Sequence, residues 1–467
     1  MRMGVLKRAW RAFDDRIGVS DILGPVLKHP VPPDARWYYI FGSATLFAFL
    51  VQVATGIALA LAYIPSTANA YDTLQFITHQ APFGRLLRGM HYFGASAMVL
   101  LIGVHMARTF LMGAYKFPRE ANWLTGVVLF VVTIIIAFTG QLLRWDQTAV
   151  WSIAVAAEQT GRIPLIGPAL ARFLLAGDTW GGQTLSRFFA FHVFFIPAVI
   201  FVFIGVHLWL VLRHGISEPP RAGRVLDPRT YRAWYRALLS REGRPFWPDA
   251  AWRDLLFGVG VIAAIAFAAV VLGPPELGNP PDPTIIQADP RPDWYLLWYF
   301  GLLALLPPAI ETPVMVLAPL VALAVLLLVP AVSNRGERSP ARRPWAIGFV
   351  FLTCLMIGTL WIAGARSPWS PVFSAGPIPA RIVGTTAQPV AWGGRLFYDK
   401  GCEYCHTIAG YGGTRGPDLT TVGDRLTPEE LTWRILNGGT NMPAFAGNLT
   451  PEQLDALIAF LKSRTAR

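Results

Sequence analysis

The chain has 467 residues, of which 54% are hydrophobic and 15% are charged, and its mean hydropathy of +0.44 exceeds that of soluble globular proteins. The formal net charge is +12, but the cations lie between apolar runs rather than in one patch, which argues against nucleic-acid binding. Three cysteines are too few for a disulfide framework. The composition excludes a water-soluble enzyme for most of the chain and indicates a membrane protein.

The chain opens with a basic, amphipathic segment, residues 1–36, which lacks the pattern of a cleaved signal peptide and is expected to stay attached. A helix needs about 20 mostly apolar residues to cross a bilayer, and seven later segments meet this requirement. These predicted spans are A (37–62), B (89–112), C (122–143), D (187–213), E (253–273), F (313–332) and G (345–364). Because the polar stretch 215–252 separates D from E, we predict a four-helix part, 37–214, and a three-helix part, 253–364.

The distribution of Lys and Arg predicts the orientation of the spans in the cell membrane. Most of these residues lie in the N-terminal segment, the B–C turn, the 215–252 connector and the F–G loop, whereas the other connections carry few. Since positive loops remain in the cytoplasm, these four regions are predicted to be cytoplasmic. Span G is therefore expected to end on the outer side.

Four of the eight histidines lie in spans B and D, at positions 91 and 105 and at positions 192 and 207. Fourteen or fifteen residues advance a helix by about 21 Å and return it to nearly the same face. Two facing helices with this pattern form two stacked His/His sites, His91 with His192 and His105 with His207, which suit haem iron. Any single histidine has an alternative as a hydrogen-bonded packing residue, but ionisable residues inside a membrane are costly and usually functional.

Glycines repeat the same spacing in the two other helices of the four-helix part: Gly42 and Gly56 in span A, and Gly126 and Gly140 in span C. The absence of side chains at these two levels is predicted to admit a flat macrocycle. The alternative is ordinary packing of small residues between membrane helices.

Two arginines flank the histidines of span B. Arg88 lies three residues before His91, and Arg108 lies three residues after His105. A guanidinium at either place is expected to pair with haem propionates. Both are equally compatible with ordinary interfacial or positive-inside charges.

Several segments resemble cytochrome b of the quinol-oxidising cytochrome bc and b6f complexes. Similarity to the plant and cyanobacterial b6 type is found in four segments: VPPDARWYYIFGSATLFAFLVQVATG, RWDQTAVWSIAV, RFFAFHVFFIP and HLWLVLRHGIS. Spans E to G, which open with RPFWPDAAWRDLL, resemble subunit IV. The resemblance covers about residues 20 to 365. It implies an outer, low-potential haem b on His91 and His192, an inner, high-potential haem b on His105 and His207, a quinone or quinol substrate, and a homodimer.

One position departs from this resemblance. In b6 proteins a cysteine at the position of Ile40 tethers an extra haem, and isoleucine has no thiol. A third membrane haem is therefore predicted not to be covalently attached here.

The segment Pro292-Asp293-Trp294-Tyr295, between E and F, is similar to the Pro-Glu-Trp-Tyr signature of the family. Quinol oxidation releases protons, and a carboxyl with a raised proton affinity serves as their acceptor. Asp293 is the predicted acceptor, and Tyr295 is expected to hydrogen-bond the substrate. The alternative is that Asp293 only caps a helix that follows Pro292.

Two further regions follow from the resemblance. A predicted amphipathic helix, 145–157, forms the second wall of the outer site, and its Asp146 is either structural or proton-conducting. At the inner surface, Arg213 and His214 lie close to His207 in the sequence and are the candidates for a quinone-reduction site. The alternative for both is that they anchor the helix at the cytoplasmic face.

Beyond span G, a stretch rich in Pro, Ser and Gly predicts a linker, 365–391. A Cys-x-x-Cys-His motif follows, in which Cys402 and Cys405 attach a haem c and His406 binds its iron. Met442 is the predicted second axial ligand, with core packing as its alternative. The segment 392–467 resembles a small class I cytochrome c, through Arg415-Gly416-Pro417-Asp418-Leu419 and a final helix with Leu454, Leu457, Ile458 and Leu461. Haem attachment outside the cytoplasm agrees with the predicted topology.

We therefore predict an all-α, polytopic membrane protein with a four-helix dihaem bundle, three further membrane helices and a small cytochrome c domain. It is expected to bind two haems b and one haem c, and to act in a quinol:cytochrome c oxidoreductase. The chain carries no ligand set for an iron–sulfur cluster, so a separate Rieske protein is the implied partner, with a cytochrome c or a terminal oxidase as acceptor. The alternatives are a dihaem membrane anchor that only relays electrons and a non-enzymatic haem-binding subunit.

Overall fold

The computed structural model describes residues 2–281, 291–367, 372, 375–438, 442 and 444–466, without the side chains of residues 2–6, 22 and 308. The fold is almost entirely helical, as predicted. Its α-helices in chain order are α1 (Arg2–Ile17), α2 (Val19–Leu27), α3 (Phe41–Ala60), α4 (Ala70–His79), α5 (Gly84–Leu111), α6 (Glu120–Leu142), α7 (Gln147–Gly161), α8 (Gly167–Leu175), α9 (Gly182–Ala190), α10 (Ile196–His214), α11 (Pro228–Glu242), α12 (Ala251–Val271), α13 (Leu297–Leu305), α14 (Pro308–Val332), α15 (Pro344–Arg366), α16 (Ala380–Val383), α17 (Val390–Asp399), α18 (Val422–Arg425), α19 (Pro428–Asn437) and α20 (Pro451–Lys462).

Within the described residues, seven helices are long and apolar enough to cross a membrane, in agreement with the seven predicted spans. They are Phe41–Ala60, Gly84–Leu111, Glu120–Leu142, Gly182–His214, Phe246–Val271, Ala309–Val332 and Pro344–Arg366. Spans B, D and E begin five to seven residues earlier than predicted. Their first turns carry polar residues, so hydrophobicity alone does not mark where these helices start.

The described chain divides into two compact units, of which the second contains residues 298–305 and the chain from 360 onward. In the first unit, α3 packs on α5, α5 on α12, and α6 on α10. The core of this bundle contains Ala48, Met98, Ile196, Ile200 and Ile265. These apolar residues lie on the helices between the two histidine levels, so the levels are separated by hydrocarbon.

The four regions that were predicted to be cytoplasmic meet at one end of the first unit, which we call the His105 end. The N-terminal segment pairs with the connector through the antiparallel strands β1 (Pro30–Val31) and β3 (Arg244–Pro245). The connector pairs with the F–G loop through β2 (Val225–Leu226) and β4 (Gly336–Glu337). Lys116 in the B–C turn donates to the carbonyl of Arg335 in the F–G loop.

The other three connections meet at the opposite end, which we call the His91 end. The Tyr71 hydroxyl donates to the carbonyl of Gly278 over 2.8 Å, and the Gln147 amide donates to Asn279 over 2.9 Å. Arg88 donates to the carbonyl of Pro275 over 2.7 Å. The A–B, C–D and E–F connections therefore form one surface.

The second unit contains a small helical domain in which α17 crosses α20 and the strands β5 (Thr407–Ile408) and β6 (Tyr411–Gly412) form a hairpin. Glycine is required at Gly393, because a Cβ there would overlap the carbonyl of Ala456. The buried core includes Leu457 and Leu461, as predicted for the final helix. Ile378 lies in the same core, so part of the segment predicted as a linker packs onto this domain.

Candidate haem and quinol sites

The structure brings the four membrane histidines together in the pairs that the sequence predicts. The ring centroids of His91 and His192 are 6.1 Å apart, and those of His105 and His207 are 6.5 Å apart. The two rings of each pair are steeply inclined to one another, by 76° and 73°. Each level therefore presents one imidazole from α5 and one from the helix of span D.

A π-helical turn, Phe191–Phe195, contains His192 and precedes α10. A π turn accommodates one residue more than an α turn. It therefore compensates for the fifteen-residue interval between His192 and His207, which is one residue longer than the interval in α5. The two histidines consequently face the same side of the helix, as the sequence predicts, although the π turn itself was not predicted.

Threonine hydroxyls hold three of the four imidazoles through the ring nitrogen Nδ1. The hydrogen bonds are Thr55 to His91 (3.0 Å), Thr139 to His192 (3.1 Å) and Thr125 to His207 (2.9 Å). A partner on Nδ1 fixes the ring and leaves Nε2 as the nitrogen for a metal. His105 differs, since its buried Nδ1 has no hydrogen-bond partner within the described part of the chain.

The predicted glycines lie against these rings. A Cβ would stand 2.6 Å from the ring of His192 at Gly140, 3.0 Å from His105 at Gly42, 3.2 Å from His91 at Gly56 and 3.6 Å from His207 at Gly126. At the first three positions that separation is shorter than ordinary van der Waals contact. The glycines thus make room for the imidazole itself, which favours a site-specific role over general helix packing.

A sequence signal for the threonines exists but was missed. Three of the four glycines follow a threonine directly, at Thr55-Gly56, Thr125-Gly126 and Thr139-Gly140. The fourth, Gly42, follows a phenylalanine, and it is the glycine that contacts His105. A Thr-Gly pair in the neighbouring helix therefore supplies both the space and the hydrogen bond for one histidine.

These donor sets fit haem b. Each level offers two facing imidazoles, and the partners on Nδ1 leave Nε2 available at three of the four rings. The close approach of Gly42, Gly56 and Gly140 to the rings would be unnecessary for histidines that only fill the core. Ligation of iron by these residues stays a prediction of the arrangement.

The two flanking arginines differ in their contacts. Arg108 stacks over the ring of Tyr39, with 3.8 Å between the guanidinium carbon and the ring centroid. Its Nε and one terminal nitrogen are buried without a partner in the described chain, which fits an anionic group such as a propionate. Arg88 instead donates to Thr78 (2.9 Å) and Pro275 (2.7 Å). Its buried guanidinium secures the His91 end, and a propionate role for it has less support.

Asp293 lies next to the His91/His192 level. Its backbone amide donates to the side-chain oxygen of Gln141 over 3.4 Å. Gly140, the residue before Gln141, lies against the ring of His192. The Asp293 carboxylate makes no capping hydrogen bond to the 3-10 turn Trp294–Leu296, so the helix-cap alternative does not describe it. The Tyr295 hydroxyl is buried without a partner among the described residues. Both side chains therefore retain unused hydrogen-bonding capacity.

Electrostatics favour a protonated Asp293 more than is usual for aspartate. Burial raises the pKa of its carboxyl, the Arg144 guanidinium opposes this rise, and the Asp146 carboxylate adds to it. A raised pKa is the property that a proton acceptor at the edge of an apolar site requires.

Asp146 is completely buried and caps the helix α7 that was predicted to begin at this point. Its carboxylate accepts from the amides of Ala149 (2.9 Å) and Gly278 (3.1 Å) and pairs with Arg144 (3.2 Å). These contacts support a structural role for Asp146, which is one of its two predicted roles. A proton-conducting role stays an untested prediction.

The inner candidates Arg213 and His214 lie at the end of α10. Arg213 is placed over the ring of Trp209, 5.1 Å from its centroid. Four buried cations nearby were not predicted as part of this site, because the Lys and Arg of the loops were interpreted only as signals of membrane topology. They are Lys116, Arg119, Arg338 and Arg343.

In the cytochrome c domain, Cys402 begins a 3-10 turn that ends at Tyr404. The His406 Nδ1 donates to the carbonyl of Pro417 over 2.9 Å, which leaves its Nε2 for iron. A Cβ at Gly416 would lie 2.6 Å from the His406 ring, so the Gly-Pro pair noted in the sequence both fits and orients this ring. Met442 packs against the domain core, and its neighbours 439–441 and 443 lie outside the described residues.

Glu403, between the two cysteines, is a residue that the sequence reasoning did not single out. It is completely buried, and neither carboxylate oxygen has a hydrogen-bond partner in the part of the chain that the structure describes. Burial, with a smaller contribution from Asp399, raises the pKa of its carboxyl to about 8.

Three family models match successive parts of the chain. Residues 26–215 match cytochrome b/b6/petB, residues 280–383 match the C-terminal part of cytochrome b, b6/petD, and residues 391–461 match subunit III of cbb3-type cytochrome c oxidase. These segments follow the order of the predicted parts.

Relatives of known identity match the first half of the chain over their whole length. The cytochrome b subunit of the menaquinol:cytochrome c reductase of Geobacillus thermodenitrificans is 37% identical over 224 residues, which is 46% of this chain and 100% of that protein. Cytochrome b6 of Synechococcus elongatus is 38% identical over 214 residues, again 46% and 100%. A solved structure, a hyperthermophilic respiratory complex III, has a TM-score of 0.64 and 27% identity over 76% of this chain and 91% of its own.

Proposed function

The chain belongs to the cytochrome b/b6 family, and we propose how it works as the cytochrome b subunit of a quinol:cytochrome c reductase. In this proposal quinol is oxidised at the His91 end, with a separate Rieske protein as the acceptor of one electron, and quinone is reduced at the His105 end, coupled to proton translocation. His91 with His192 and His105 with His207 would hold two haems b, and these would supply one-electron carriers for the second electron between the two ends.

One observation carries this proposal: the connection from Asp293 through Gln141 and Gly140 to His192. It places a carboxyl of raised proton affinity beside one histidine level and leaves the other level at the far end of the bundle. A relay subunit needs two histidine levels but has no use for such a carboxyl. The arrangement therefore favours quinol oxidation over simple electron relay.

The side chains of the bundle orient and insulate the two levels. Thr55, Thr139 and Thr125 set the direction of three imidazoles through hydrogen bonds to Nδ1. Ala48, Ile196 and Ile200 fill the space between the levels with buried apolar groups. Water is thereby excluded between the two ends, as a membrane-spanning electron path requires.

Oxidation of one quinol to quinone releases two protons and two electrons. Asp293 takes up one of these protons from the quinol hydroxyl at its carboxylate, because burial makes the protonated form more stable than in water. The buried Tyr295 hydroxyl is placed to hydrogen-bond the substrate oxygen. Arg213 and His214 are the proposed contacts for quinone at the other end.

We propose a side of the membrane for each end. The four Lys- and Arg-rich regions gather at the His105 end, which supports a cytoplasmic location for that end. The His91 end and the cytochrome c domain then lie outside. There Cys402, Cys405 and His406, with Met442 as second ligand, would hold a haem c, which would supply a one-electron carrier between the Rieske partner and a cytochrome c or an oxidase. We propose that the chain assembles as a homodimer.

Replacement of Asp293 by Asn tests this function. A side chain that cannot accept the proton should lower quinol:cytochrome c reductase activity by about a hundredfold or more, with two haems b retained per haem c in a pyridine haemochrome spectrum. Glu158→Gln, an exposed carboxyl of α7 at the same end, is the matched control and should keep full activity. Wild-type turnover of Asp293→Asn at every pH would contradict the proposal.

A further inference from the structure

Arg144 is a largely buried cation beside the outer site, and the proposed function gives it no role. Its terminal nitrogen lies 3.2 Å and 3.3 Å from the two carboxylate oxygens of Asp146. The Arg144 side chain is 22% exposed and that of Asp146 is fully buried. A charge in this position interacts with its neighbours more strongly than a surface charge does, because little water screens it.

The position of Arg144 is set by its partner. Asp146 is itself held by the amides of Ala149 and Gly278, which belong to two different connections of the His91 end. The Nε of Arg144 is buried and has no hydrogen-bond partner among the residues that the structure describes. The guanidinium is thus fixed at one end and still has a donor to offer.

Asp293 and Arg144 bond to the same residue: the Asp293 amide donates to the side-chain oxygen of Gln141 over 3.4 Å, and the Arg144 amide donates to the Gln141 carbonyl over 3.4 Å. Four groups act electrostatically with Asp293. Arg144 and Asp146 are the charged ones, and the phenols of Tyr92 on α5 and Tyr295 on the following turn are neutral. When Asp293 is ionised, one guanidinium balances two carboxylates. When Asp293 holds a proton, the Arg144–Asp146 pair is neutral by itself.

We infer that Arg144 is a positioning residue of the outer quinol site, which sets the pH at which Asp293 is free to accept a proton from quinol. This inference rests on the proposed function. Arg144 stabilises the ionised form of Asp293, which is the form that can accept a proton, and offsets the repulsion from Asp146. The residue acts through Asp293, and it need not touch the substrate.

The direction of the effect follows from the charges. Arg144 lowers the pKa of Asp293 against the effect of burial, and Asp146 raises it. Loss of Arg144 therefore leaves Asp293 protonated up to a higher pH, at which it cannot take up the quinol proton. Loss of Asp146 has the opposite sign.

The test measures kcat/KM for quinol against pH in the assembled complex and follows the acidic limb of the profile. Arg144→Gln should move this limb upward by about one pH unit, with about tenfold lower activity below it. Arg144→Lys keeps the charge and should leave the limb near its original pH. Asp146→Asn should move it downward.

The double variant Arg144→Gln/Asp146→Asn guards against misfolding, because it leaves no unpaired buried charge. Its two effects on Asp293 have opposite signs, so its limb should return towards that of the native protein. A limb that stays in place in both Arg144→Gln and Asp146→Asn overturns the inference. If Arg144→Gln fails to retain its haems b, the comparison of Asp146→Asn with the double variant decides: the limb of the double variant should lie at the higher pH, and equal limbs overturn the inference.

The Asp293 and Arg144 variants distinguish failure of this inference from failure of the proposed function. Activity lost in Asp293→Asn, together with an unmoved limb in the Arg144 variants, overturns the role of Arg144 alone. Full activity in Asp293→Asn overturns the proposed acceptor and this inference with it.

Discussion

The two ends of the membrane unit differ in the net charge of their buried residues. At the His105 end, four buried cations, Lys116, Arg119, Arg338 and Arg343, accompany one buried acid, Glu218. At the His91 end, the buried Asp146 is paired with the largely buried Arg144, and Arg88 is a second buried cation. Among these residues, the first end carries an excess of three positive charges and the second an excess of one.

The direction of the helices explains the difference. Both α5 and α10 end at the His105 end, where their last carbonyl groups have no helical partner. Arg343 donates to the carbonyls of Phe110 and Leu111, and Arg119 donates to that of Gly215. Cations are favourable at such helix ends. A helix start, such as that of α7, instead favours a carboxylate, and Asp146 occupies it.

The histidine levels differ as well. At the His91 end, both imidazoles are held by threonines, whereas at the His105 end His105 has no partner on Nδ1 among the described residues. An outer hydrogen bond fixes the orientation of a ligand and raises its basicity. More hydrogen bonds therefore orient the imidazoles at the His91 end than at the His105 end.

The largest expected effect comes from removing one imidazole from one histidine pair. His192→Leu should reduce the content of haem b from two to one per haem c and abolish quinol oxidation, because a single imidazole replaces a pair. The pyridine haemochrome spectrum of the purified protein measures this ratio. His79→Leu, at the same end but outside the pairs, should retain both haems. Two haems b in His192→Leu would show that the levels are not separate binding sites.

A graded effect is expected from the glycines. Gly140→Ala places a methyl group 2.6 Å from the His192 ring, and overpacking of this kind costs about 1–3 kcal/mol, or about tenfold or more in haem affinity. Gly126→Ala, at 3.6 Å from His207, should have little effect, and Gly103→Ala, with open space around it, is the control. Haem titration of each variant measures the order. Equal losses at positions 140 and 103 would contradict a role for the glycine in seating the ring.

The smallest effect concerns the second unit, where Glu403 is buried without the partners that Asp146 has. Burial raises the pKa of Glu403 to about 8, against about 4.3 in an unfolded chain, so the folded state holds an additional proton between these values. Stability therefore falls as the pH rises through this window and is lowest above about pH 8. Glu403→Gln should remove this dependence and resist denaturant better than the native protein at about pH 9.

Denaturant unfolding of the full chain, followed by haem c absorbance at about pH 5 and about pH 9, measures that difference. Glu429→Gln, an exposed carboxyl at the start of α19, is the control. An identical pH dependence in Glu403→Gln and the native protein would show that Glu403 is ionised in the folded state.

The membrane spans, the fold class and the two cytochrome parts were predictable from local sequence patterns. The seven spans follow from runs of apolar residues, and the all-helical class and the cytochrome b and c parts are confirmed by the fold and by the matching families. The Cys-x-x-Cys-His motif needs only five consecutive residues. Hydrophobic length and covalent haem attachment are local properties, so no knowledge of distant contacts is required.

Other features depend on residues that are far apart in the chain. Thr55 meets His91, and Gln141 meets Asp293, across 36 and 152 positions, and no local pattern specifies either contact. The π turn at His192 and the pairing of Arg144 with Asp146 were also missed, although both involve residues that are close together in the chain.

By itself, the sequence determined where the chain crosses the membrane, which histidines and cysteines are available, and at which depths they stand, because helix rise and hydrophobicity are set by neighbouring residues. Only the tertiary structure decided which hydroxyl holds which imidazole and which carboxyl has a raised pKa. These properties depend on distances between helices, and packing alone sets such distances.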